Sequence, residues 1–415
     1  MKGKKNASPS QSNLFNELEL PEGWTLTKIR DLVTINYGKG LKDADRAGGS
    51  VSVYGSNGIV GSHNKALTNG PSIIIGRKGS IGEVHYSANP SWPIDTTYYI
   101  DKFEGIDPSF VVFALKSLNL SDLDTSTAIP GLNRNDIYDQ EIPLPSVSEQ
   151  HRIVARVEAL LTQVNATRDR LSRVPLIMKK FRQAVLAAAC SGRLTEGWEN
   201  SEHDWEIVQF DEILERNPQN GLYLPQSMYG SGYPIIRIDD YHNGILKSWS
   251  ALKRVQLSQD TAEKYSLEED DILINRVNSM KFLGKSLLIP KHNEITVFEC
   301  NMIRFKVNKK LISPNFAILY LLSPQGLEEL HKNVKHAVNQ SSINQTDIRA
   351  IPFPLPPLAE QHEIVRRVGM LFEHADAIDQ EVAAAGRRCE RLTQAVLGKA
   401  FRGELVAPGT VEGQV

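Results

Sequence analysis

The chain has 415 residues, of which 41% are hydrophobic and 23% charged, as in typical soluble globular proteins. This length exceeds one ordinary domain and allows two or more, each with its own core. The formal net charge of −2 at pH 7 weighs mildly against a nucleic-acid-binding protein, unless its positive charge is confined to one face.

Nothing in the sequence indicates membrane insertion, secretion or a disulfide framework. The most apolar run, residues 316–322, is far shorter than the roughly 18 residues of a membrane helix. Residues 1–13 are polar and lack the apolar core of a signal peptide, so we predict a disordered tail over residues 1–19. Cys190, Cys300 and Cys389 lack CxxC spacing, which indicates a reducing cytoplasm and no zinc site.

The first segment after this tail, residues 20–142, has the pattern of a strand-rich α/β domain. Residues 51–60 alternate around Asn57-Gly58, which predicts a hairpin with a type I′ turn. Residues 72–76 and 81–86 flank a tight turn at Arg77-Lys78-Gly79. Asp107-Pro108 predicts the start of a short apolar helix, and Asn133 is a predicted helix N-cap.

An internal repeat organises the chain. Residues 143–157 contain Pro-Leu-Pro, Glu-Gln-His, Ile-Val and Arg-Val, and residues 354–368 repeat these groups 211 positions later. The register continues without a gap to Leu194 and Leu405. One offset held over some fifty residues indicates a duplication.

The segments that precede each repeat are related more faintly. Matching positions include Trp24 with Trp205, Arg77 with Arg276, and Asp136-Ile137 with Asp347-Ile348. The spacing between matches grows along the chain, as expected if the second copy carries insertions. We therefore predict that the whole unit is duplicated. The repeated segments have kept similar sequences in the two copies, and the strand-rich segments have diverged.

Each repeated tail is predicted to be one long helix. After Pro-Leu-Pro, which favours an extended entry, apolar or small residues recur in alternating steps of four and three, as in the seam of a coiled coil. Two such helices in one chain can bury their seams against each other. Pro175 and its counterpart Gly386 are expected to kink or break both helices. The seam residues that we assign to the spacer and subunit interface are Ile153, Val157, Leu160, Phe181, Ile364, Val368, Leu371 and Leu392.

The second strand-rich segment precedes the second helix. Residues 234–238 lead to an Asn243-Gly244 turn, and residues 271–274 lead into residues 275–281. Ser313-Pro314 predicts another short helix, and Asn344 another N-cap.

The catalytic motifs that we considered do not amount to an active site. The chain has no P-loop, and its Gly-x-x-Gly-x-x-Gly at residues 55–61 falls in the predicted hairpin rather than between a strand and a helix. Asn89-Pro90-Ser91-Trp92 faintly resembles an amino-methyltransferase signature, but only one copy has it and no glycine-rich loop precedes it. His151 and His362 lack further ligands at metal-binding spacing. We assign no catalytic residue and no metal ligand.

Several segments together resemble the specificity subunit of type I restriction–modification enzymes. They are Leu-Pro-Glu-Gly-Trp at residues 20–24, the twin Pro-Leu-Pro…Glu-Gln boundaries, the helix endings at residues 181–186 and 393–397, and Gly-Arg-Leu-Thr-Glu-Gly-Trp at residues 192–198. The likeness covers nearly the whole chain, and the duplicated architecture is more specific than any one motif.

The resemblance implies an α+β fold with two tandem target-recognition domains, each followed by a long helix, and an antiparallel, pseudo-twofold coiled coil of the two helices. Each domain would read one half of a bipartite asymmetric DNA site. The expected divisions are tail 1–19, first recognition domain 20–142, first spacer helix 143–195, second recognition domain 196–352, second spacer helix 353–405 and tail 406–415.

The resemblance also implies the partners of the chain. It would be a non-catalytic cytoplasmic subunit that binds double-stranded DNA, docks two methyltransferase subunits and recruits restriction/translocase subunits, in host defence against foreign DNA. The complex would be an adenine-specific methyltransferase and an ATP-dependent endonuclease. S-adenosylmethionine, ATP and Mg would bind to the partners, and this chain would bind no cofactor.

The turn after the most apolar strand of each copy carries cations, which we predict to contact DNA. Arginine can pair with both acceptors of guanine, and lysine more often meets phosphate. Solvated turn residues are the alternative, and the matched Arg77 and Arg276 could equally preserve a structural ion pair. The candidate DNA-binding residues are Lys39, Tyr54, Asn57, Arg77, Lys78, Arg237, Arg276, Asn278, Lys281 and Lys285.

Two other function classes compete with DNA reading. A tandem scaffold or adaptor, whose α/β domains bind proteins, is favoured slightly by the near-neutral charge, and only the family resemblance weighs heavily against it. An independent enzyme is disfavoured by the survey of motifs.

Overall fold

The chain divides into two compact units. The computed structural model describes residues 20–123, 131–199, 201, 204–242, 244–280, 282–332, 334–337 and 340–406, with 335–337 and 340 described by backbone alone. The predicted N-terminal tail, the predicted C-terminal tail beyond Val406, Asn243 and Lys281 lie outside these residues. Unit 1 comprises Met1–Ser172 and Ala383–Val415, and unit 2 comprises Arg173–Val382.

Among its described residues, unit 1 begins with nine strands and three short helices. The strands form a four-stranded sheet in the order β2-β8-β5-β6, a three-stranded sheet in the order β4-β3-β7, and the pair β1-β9. The strands are β1 (Thr25–Lys28), β2 (Asn36–Tyr37), β3 (Val51–Gly55), β4 (Gly58–His63), β5 (Ser72–Gly76), β6 (Val84–Ser87), β7 (Ser91–Pro93), β8 (Thr97–Ile100) and β9 (Glu141–Leu144). The short helices are α1 (Ile29–Leu32), α2 (Pro108–Ser117) and α3 (Arg134–Tyr138), and the long helix α4 (Val147–Ala189) follows.

Unit 2 contains the remaining strands, which form sheets in the orders β11-β20-β16-β18, β15-β12-β19, β17-β22-β21, β10-β23 and β13-β14. The strands are β10 (Glu206–Gln209), β11 (Leu214–Asn220), β12 (Tyr229–Ile236), β13 (Tyr241–His242), β14 (Ile245–Leu246), β15 (Lys253–Val255), β16 (Ile272–Asn275), β17 (Val277–Asn278), β18 (Ser286–Leu288), β19 (Val297–Phe298), β20 (Met302–Val307), β21 (Lys335–Ala337), β22 (Gln340–Ser342) and β23 (Pro352–Leu355). The helices are α5 (Gln259–Lys264), α6 (Pro314–Leu322), α7 (Pro324–His331), α8 (Gln345–Arg349) and the long α9 (Leu358–Phe401).

The two units share one strand topology, which confirms that the whole unit is doubled. The sheet β2-β8-β5-β6 corresponds to β11-β20-β16-β18, and the pair β1-β9 corresponds to β10-β23. In the third pair of matching sheets, β3 runs antiparallel to β4 and parallel to β7, just as β12 does to β15 and β19. Strands β13 and β14 of unit 2 have no counterpart among the described residues of unit 1, and they lie where the spacing between matched residues grows.

The predicted hairpin is confirmed, but its predicted turn type is wrong. Strands β3 and β4 pair in antiparallel register, with Gly55 opposite Gly58. The turn is therefore centred on Ser56 and Asn57, one residue earlier than predicted. A type I′ turn needs positive φ at both central residues, whereas Gly58, with φ of 109°, is the residue of this loop that adopts it.

The predicted helix starts are confirmed, with one difference in capping. The Asp107 side chain accepts a hydrogen bond from the Phe110 N–H (2.9 Å), and Asn133 and Asn344 cap α3 and α8 through their side chains. Ser313 precedes α6 but makes no side-chain capping bond. Its N–H is instead bonded by a residue of α9, described below.

Both long helices pass through both units. In unit 1, Ile153 and Val157 from the start of α4 share a core with Leu397 and Phe401 from the end of α9. In unit 2, the end of α4 and the start of α9 share a core that includes Val185, Ile364 and Val368. The two helices are therefore antiparallel, as predicted.

Two of the predicted seam residues are more exposed than the others. The Phe181 side chain is 37% exposed and that of Leu392 is 53% exposed, whereas Leu160 and Leu371 are half-buried. In a straight α-helix, residues spaced seven apart rotate by about 20° per heptad around the helix axis. Over several turns, residues in a strict four-and-three pattern therefore move away from one buried face. Contact of Phe181 and Leu392 with a partner subunit remains a prediction.

The predicted kink or break at Pro175 and Gly386 does not end either helix. Pro175 lies inside α4, which is continuous over 43 residues, and α9 is continuous over 44 residues across Gly386. Pro175 removes one backbone donor and crowds the preceding turn. Because the flanking turns remain helical, that local loss does not end the helix.

A buried glutamine at the start of each long helix explains part of the repeated motif. The Gln150 side chain accepts from the Asp107 N–H (2.9 Å) and donates to the Pro145 carbonyl (3.0 Å). Gln361 does the same, accepting from the Ser313 N–H (2.7 Å) and donating to the Pro356 carbonyl (2.8 Å). Each glutamine thus ties its long helix to the start of a domain helix, α2 or α6.

The glutamate before each glutamine makes a second matched contact. The Trp24 indole N–H donates to a Glu149 carboxylate oxygen (3.1 Å), and the Trp205 indole N–H donates to Glu360 (3.1 Å). The faint match between the two tryptophans therefore reflects one structural role. In unit 2 the Thr195 hydroxyl also donates to Glu360 (2.6 Å).

Two sequence expectations concern the whole chain. No helix among the described residues is long and apolar enough to span a membrane. Cys190, Cys300 and Cys389 are all free thiols, and burial raises the pKa of the Cys190 thiol to about 12.

We predict that Gln361→Ala destabilises unit 2 by at least about 2 kcal/mol. Gln361 is fully buried and also donates to the Leu311 carbonyl (3.0 Å), so truncation removes three hydrogen bonds. Each buried polar group left unsatisfied costs about 1–3 kcal/mol. The measurement is urea unfolding followed by tryptophan fluorescence, with Gln380→Ala at an exposed position of α9 as control. Equal midpoints for the two variants would contradict this role.

Candidate nucleic-acid interface

Arg77 stands just after β5, where the backbone holds it from both sides. Its N–H donates to the Thr96 carbonyl (2.9 Å), and its own carbonyl accepts from the Leu132 N–H (3.0 Å). The guanidinium Nη1 donates to the Asp95 backbone carbonyl (3.3 Å). The position of Arg77 is thus fixed by the loops on either side of its turn.

Arg276 of unit 2 has the same surroundings. Its N–H donates to the Asn301 carbonyl (2.8 Å), and its carbonyl accepts from the Ile343 N–H (2.9 Å). Its Nη1 donates to the Cys300 backbone carbonyl (3.3 Å). The sequence match of Arg77 with Arg276 is therefore a structural equivalence. Within the described part of the chain, no ion pair is recorded for either guanidinium, so a shared ion pair does not explain it.

In unit 1, Arg77 belongs to a surface row of alternating cations and rings. The Tyr37 ring is 51% exposed and lies 5.1 Å from the Arg77 guanidinium carbon and 5.0 Å from that of Arg134. Tyr98 packs edge-on against Tyr37 with 5.0 Å between ring centroids. Distances of this size are those of cation–π contacts, so the ring holds both guanidinium groups in place.

The residue in unit 2 that corresponds to Tyr37 is Asn220. Tyr37 pairs with Tyr98 across β2 and β8, and Asn220 pairs with Ile303 across the matching strands β11 and β20. Each is followed by a glycine, Gly38 or Gly221. A Cβ on either glycine would lie 2.0 or 2.2 Å from a backbone carbonyl oxygen, so both copies need a glycine there.

The counterpart of Arg134 in unit 2 is Gln345. These are the first residues of α3 and α8, each directly after its asparagine cap. The Gln345 amide nitrogen donates to the Asn220 side-chain oxygen (3.4 Å). The place of a cation–aromatic pair in unit 1 is therefore taken by a pair of amides in unit 2.

A buried ionic cluster supports the strand that carries Asn220. The Arg304 guanidinium donates to the Gln219 side chain and to the Ser266 carbonyl, and its Nη1 lies 3.8 Å from an Asp271 carboxylate oxygen. Burial lowers the pKa of Arg304 and raises that of Asp271. The contact with Gln219, the residue before Asn220, fixes the end of β11.

Two of the predicted contact residues have structural partners, and a third is buried. The Lys285 ammonium donates to the Ile238 carbonyl (2.9 Å) and lies 4.4 Å from the Tyr241 ring centroid, and burial lowers its pKa. Arg237 lies 3.6 Å from Asp240. The Tyr54 side chain is only 8% exposed, which leaves little of its ring for DNA.

The remaining predicted contact residues lie nearer the solvent. Lys39, Lys78 and Asn57 are exposed, and Asn278 is half-buried. The Lys39 ammonium lies 5.9 Å from the Trp92 ring centroid.

Tyr37, Arg134, Asn220 and Gln345 are absent from the sequence-based set of contacts. The sequence could have indicated Arg134 and Gln345, because they lie 211 positions apart, as the repeat does, and each directly follows an asparagine cap. The signal for Tyr37 and Asn220 was weaker, since only the following glycine is shared.

Histidine 151, weighed in the sequence as a metal ligand, lies 3.3 Å from an Asp107 carboxylate oxygen. Among the described residues, no group of three or more His, Cys, Asp or Glu side chains is placed to hold a metal ion.

The fold is similar to that of a solved chain from a type I R-M system whose complex assembly and conformational transition have been analysed structurally. The TM-score is 0.67 at 18% sequence identity, and the match covers 93% of this chain and 99% of that chain.

Sequence comparison identifies the family. The model of the type I restriction modification DNA specificity domain matches residues 21–175 and 202–383. The type I restriction enzyme StySPI specificity subunit of Salmonella potsdam is 34% identical over 354 residues, 82% of this chain and 76% of that protein. The EcoKI specificity subunit of Escherichia coli K12 is 33% identical over 315 residues, 75% of this chain and 67% of that protein. The chain therefore belongs to the type I restriction–modification DNA specificity family.

We predict that Arg304→Met lowers the free energy of unfolding of unit 2 by about 1–3 kcal/mol at pH 7, the usual cost of a lost partner at a buried polar group. The Asp271 carboxylate keeps the Glu268 N–H (2.8 Å) and, at 4.0 Å, the Arg216 guanidinium as partners. Burial holds the folded-state pKa of Asp271 above its unfolded-state value, so its contribution to stability falls as pH rises. Without Arg304 this pKa rises further. The loss should therefore shrink as pH falls below 7.

Denaturant unfolding at several pH values measures this effect. Adding Asp271→Asn to Arg304→Met removes the buried charge that has lost Arg304 and should recover part of the stability at pH 7. A loss independent of pH, with no recovery in the double variant, would show that the ionic contact is unimportant.

Proposed function

We propose that this chain reads a bipartite asymmetric DNA site for a type I restriction–modification complex, with each recognition domain reading one half. Family membership supports DNA reading over the alternative of a protein-binding adaptor. We assign the recognition domains to residues 20–142 and 196–352 and the spacer helices to 143–195 and 353–405. The tails would be residues 1–19 and 406–415, and the chain would act in the cytoplasm.

The observation that carries the proposal is the structural equivalence of Arg77 and Arg276. Each copy presents a guanidinium from the same turn, while side chains around that turn differ between the copies. Arginine can donate to both O6 and N7 of guanine in the major groove. We assign phosphate contacts to Lys39 and Lys78, which are exposed, because phosphate contacts position a protein without reading sequence.

The two long helices are proposed to set the spacing between half-sites. A helix of 43 or 44 residues extends about 65 Å at 1.5 Å per residue. Half-sites on one face of DNA lie about 34 Å apart per turn. The helices are therefore long enough to hold two readers one or more turns apart.

The long helices are also proposed to dock the partner subunits. In unit 2, α4 exposes Leu176 and Ile177, at 60% and 59% of their surface, and Phe181 beside them. In unit 1, α9 exposes Leu392. Exposed apolar clusters of this kind commonly mark protein contacts. We propose two methyltransferase subunits and additional restriction/translocase subunits as partners, which would carry catalysis, S-adenosylmethionine, ATP and Mg.

We predict that Arg77→Ala relaxes the reading of one half-site and that Arg276→Ala relaxes the other. A bidentate contact is worth about 1–3 kcal/mol of base discrimination, so each variant should lose about five- to 150-fold preference at one base pair. The measurement is the set of methylated positions in genomic DNA exposed to the assembled complex.

The control for these variants is Lys332→Ala, which removes an exposed cation of unit 2 paired with Glu329. It should leave both half-sites unchanged. Wild-type methylation of the original site by both arginine variants would exclude these turns from DNA reading.

We predict that seven residues inserted in each long helix, after Ser172 in α4 and after Val382 in α9, lengthen the recognised spacer by about three base pairs. These are the points where the helices pass from one unit to the other. Seven residues add about 10.5 Å and nearly complete two helical turns, so the buried faces keep their register.

A second variant inserts four residues near Ala166 in α4 alone. This insertion shifts the seam of α4 against the seam of α9. This variant should change the spacer or prevent assembly. If both insertions leave the spacer unchanged while the complex still methylates, the helices do not set the spacing.

A further inference from the structure

We propose that residues 37 and 134 of unit 1, and their counterparts 220 and 345 of unit 2, determine which base each unit reads beside its shared arginine. The cation–aromatic pair would direct unit 1 to guanine, and the amide pair would direct unit 2 to adenine. This inference rests on the proposed function and extends it from the common arginine to the residues that make the two readers different.

The two pairs occupy the same place on one framework. Tyr37 and Asn220 end matching edge strands, and the tightly packed Gly38 and Gly221 follow them. Arg134 and Gln345 begin matching short helices directly after asparagine caps. Both members of each pair contact each other, by a cation–π contact in unit 1 and by a hydrogen bond in unit 2.

The framework that holds these positions is the same in both units, whereas the side chains on it are not. The carbonyls of Thr97 and Met302 accept the N–H of Gly38 (3.0 Å) and Gly221 (3.1 Å) respectively. The backbone is matched and hydrogen-bonded there in both units. The two pairs therefore differ more in the donors and acceptors that they present to a ligand than in where they lie.

The unit 1 pair presents donors in a fixed plane. The Arg134 guanidinium lies over the rings of Tyr37 and Tyr138 (5.0 and 5.8 Å) and donates to the Ile35 carbonyl (3.3 Å). Held in this way, its planar fork loses little rotamer entropy on binding. A fork of donors matches the two acceptors of guanine, O6 and N7.

The unit 2 pair combines a donor with an acceptor. Asn220 is exposed and Gln345 half-buried. Their mutual hydrogen bond uses the Gln345 nitrogen and the Asn220 oxygen, which orients both amides. The Asn220 nitrogen and the Gln345 oxygen then provide a donor for adenine N7 and an acceptor for the adenine N6 amino group. These are the two contacts that a single amide side chain makes to adenine in the major groove.

The test exchanges the pairs within the full chain, assembled with its methyltransferase partners. Asn220→Tyr with Gln345→Arg should change one base pair of the unit 2 half-site from A·T to G·C and leave the other half-site unchanged. Tyr37→Asn with Arg134→Gln should make the converse change in the unit 1 half-site. The readout is duplex binding and methylation across a library with each half-site randomised in turn.

Gln259→Arg, which adds the same charge at an exposed position of α5, is the control and should leave both preferences unchanged. A second variant guards against misfolding of the double exchanges. Asn220→Asp is isosteric and replaces the donor to adenine N7 with an acceptor, so it should lower the unit 2 preference for A·T at least about fivefold.

If the base preferences of the exchanged and Asn220→Asp variants stay at wild type while Arg276→Ala still relaxes the unit 2 half-site, this proposal is overturned and the proposed function stands. If Arg276→Ala also leaves that half-site unchanged, the DNA-reading turns themselves are misplaced. A change of base preference confined to the altered unit supports the proposal.

Discussion

The attachment of each recognition domain to the start of a long helix is the constraint on which the rest of the structure depends. Gln150 and Gln361 are buried, and each satisfies backbone groups both of its own helix entry and of a domain helix. A buried amide with defined donors and acceptors fixes orientation in a way that apolar packing alone does not. A domain that is held at one angle on a continuous helix is positioned by that helix. A protein that reads two separated half-sites requires such fixed positions.

Duplication followed by uneven divergence fits this constraint. The helix starts meet the same backbone groups in both units, so a substitution there leaves a buried group unsatisfied, a loss of about 1–3 kcal/mol. The surface ends of β2 and β11 carry Tyr37 and Asn220, whose side chains are exposed, so their exchange costs the fold little. The same framework can therefore keep its geometry while the two units acquire different surfaces.

Much of the fold was predictable because its signals are local or repeated. The repeat, the hairpin strands, the helix starts and the antiparallel long helices followed from spacing, turn chemistry and the family resemblance. The exposed seam residues Phe181 and Leu392 were missed because a heptad pattern does not record helical drift. The contact of Arg77 with Tyr37 was missed because it joins residues forty positions apart across a sheet, and no periodicity reports such pairing. The burial of Tyr54 could not be predicted either, since a tyrosine is compatible with both the buried and the exposed face of an alternating strand.

The near-neutral net charge, which weighed against a nucleic-acid-binding protein, is a poor guide here because the cations have different roles. Arg182 pairs with Asp376 and Asp379 between the long helices of unit 2, and Lys306 pairs with Glu268, whose pKa its two basic partners lower to about 2. The charges of such cations are compensated within the fold, so they contribute little to the electrostatic potential at the protein surface. Arg77 and Arg134 instead lie against aromatic rings, which hold a guanidinium without cancelling its charge. The distribution of compensated and uncompensated cations, rather than their sum, decides where an anionic partner can bind.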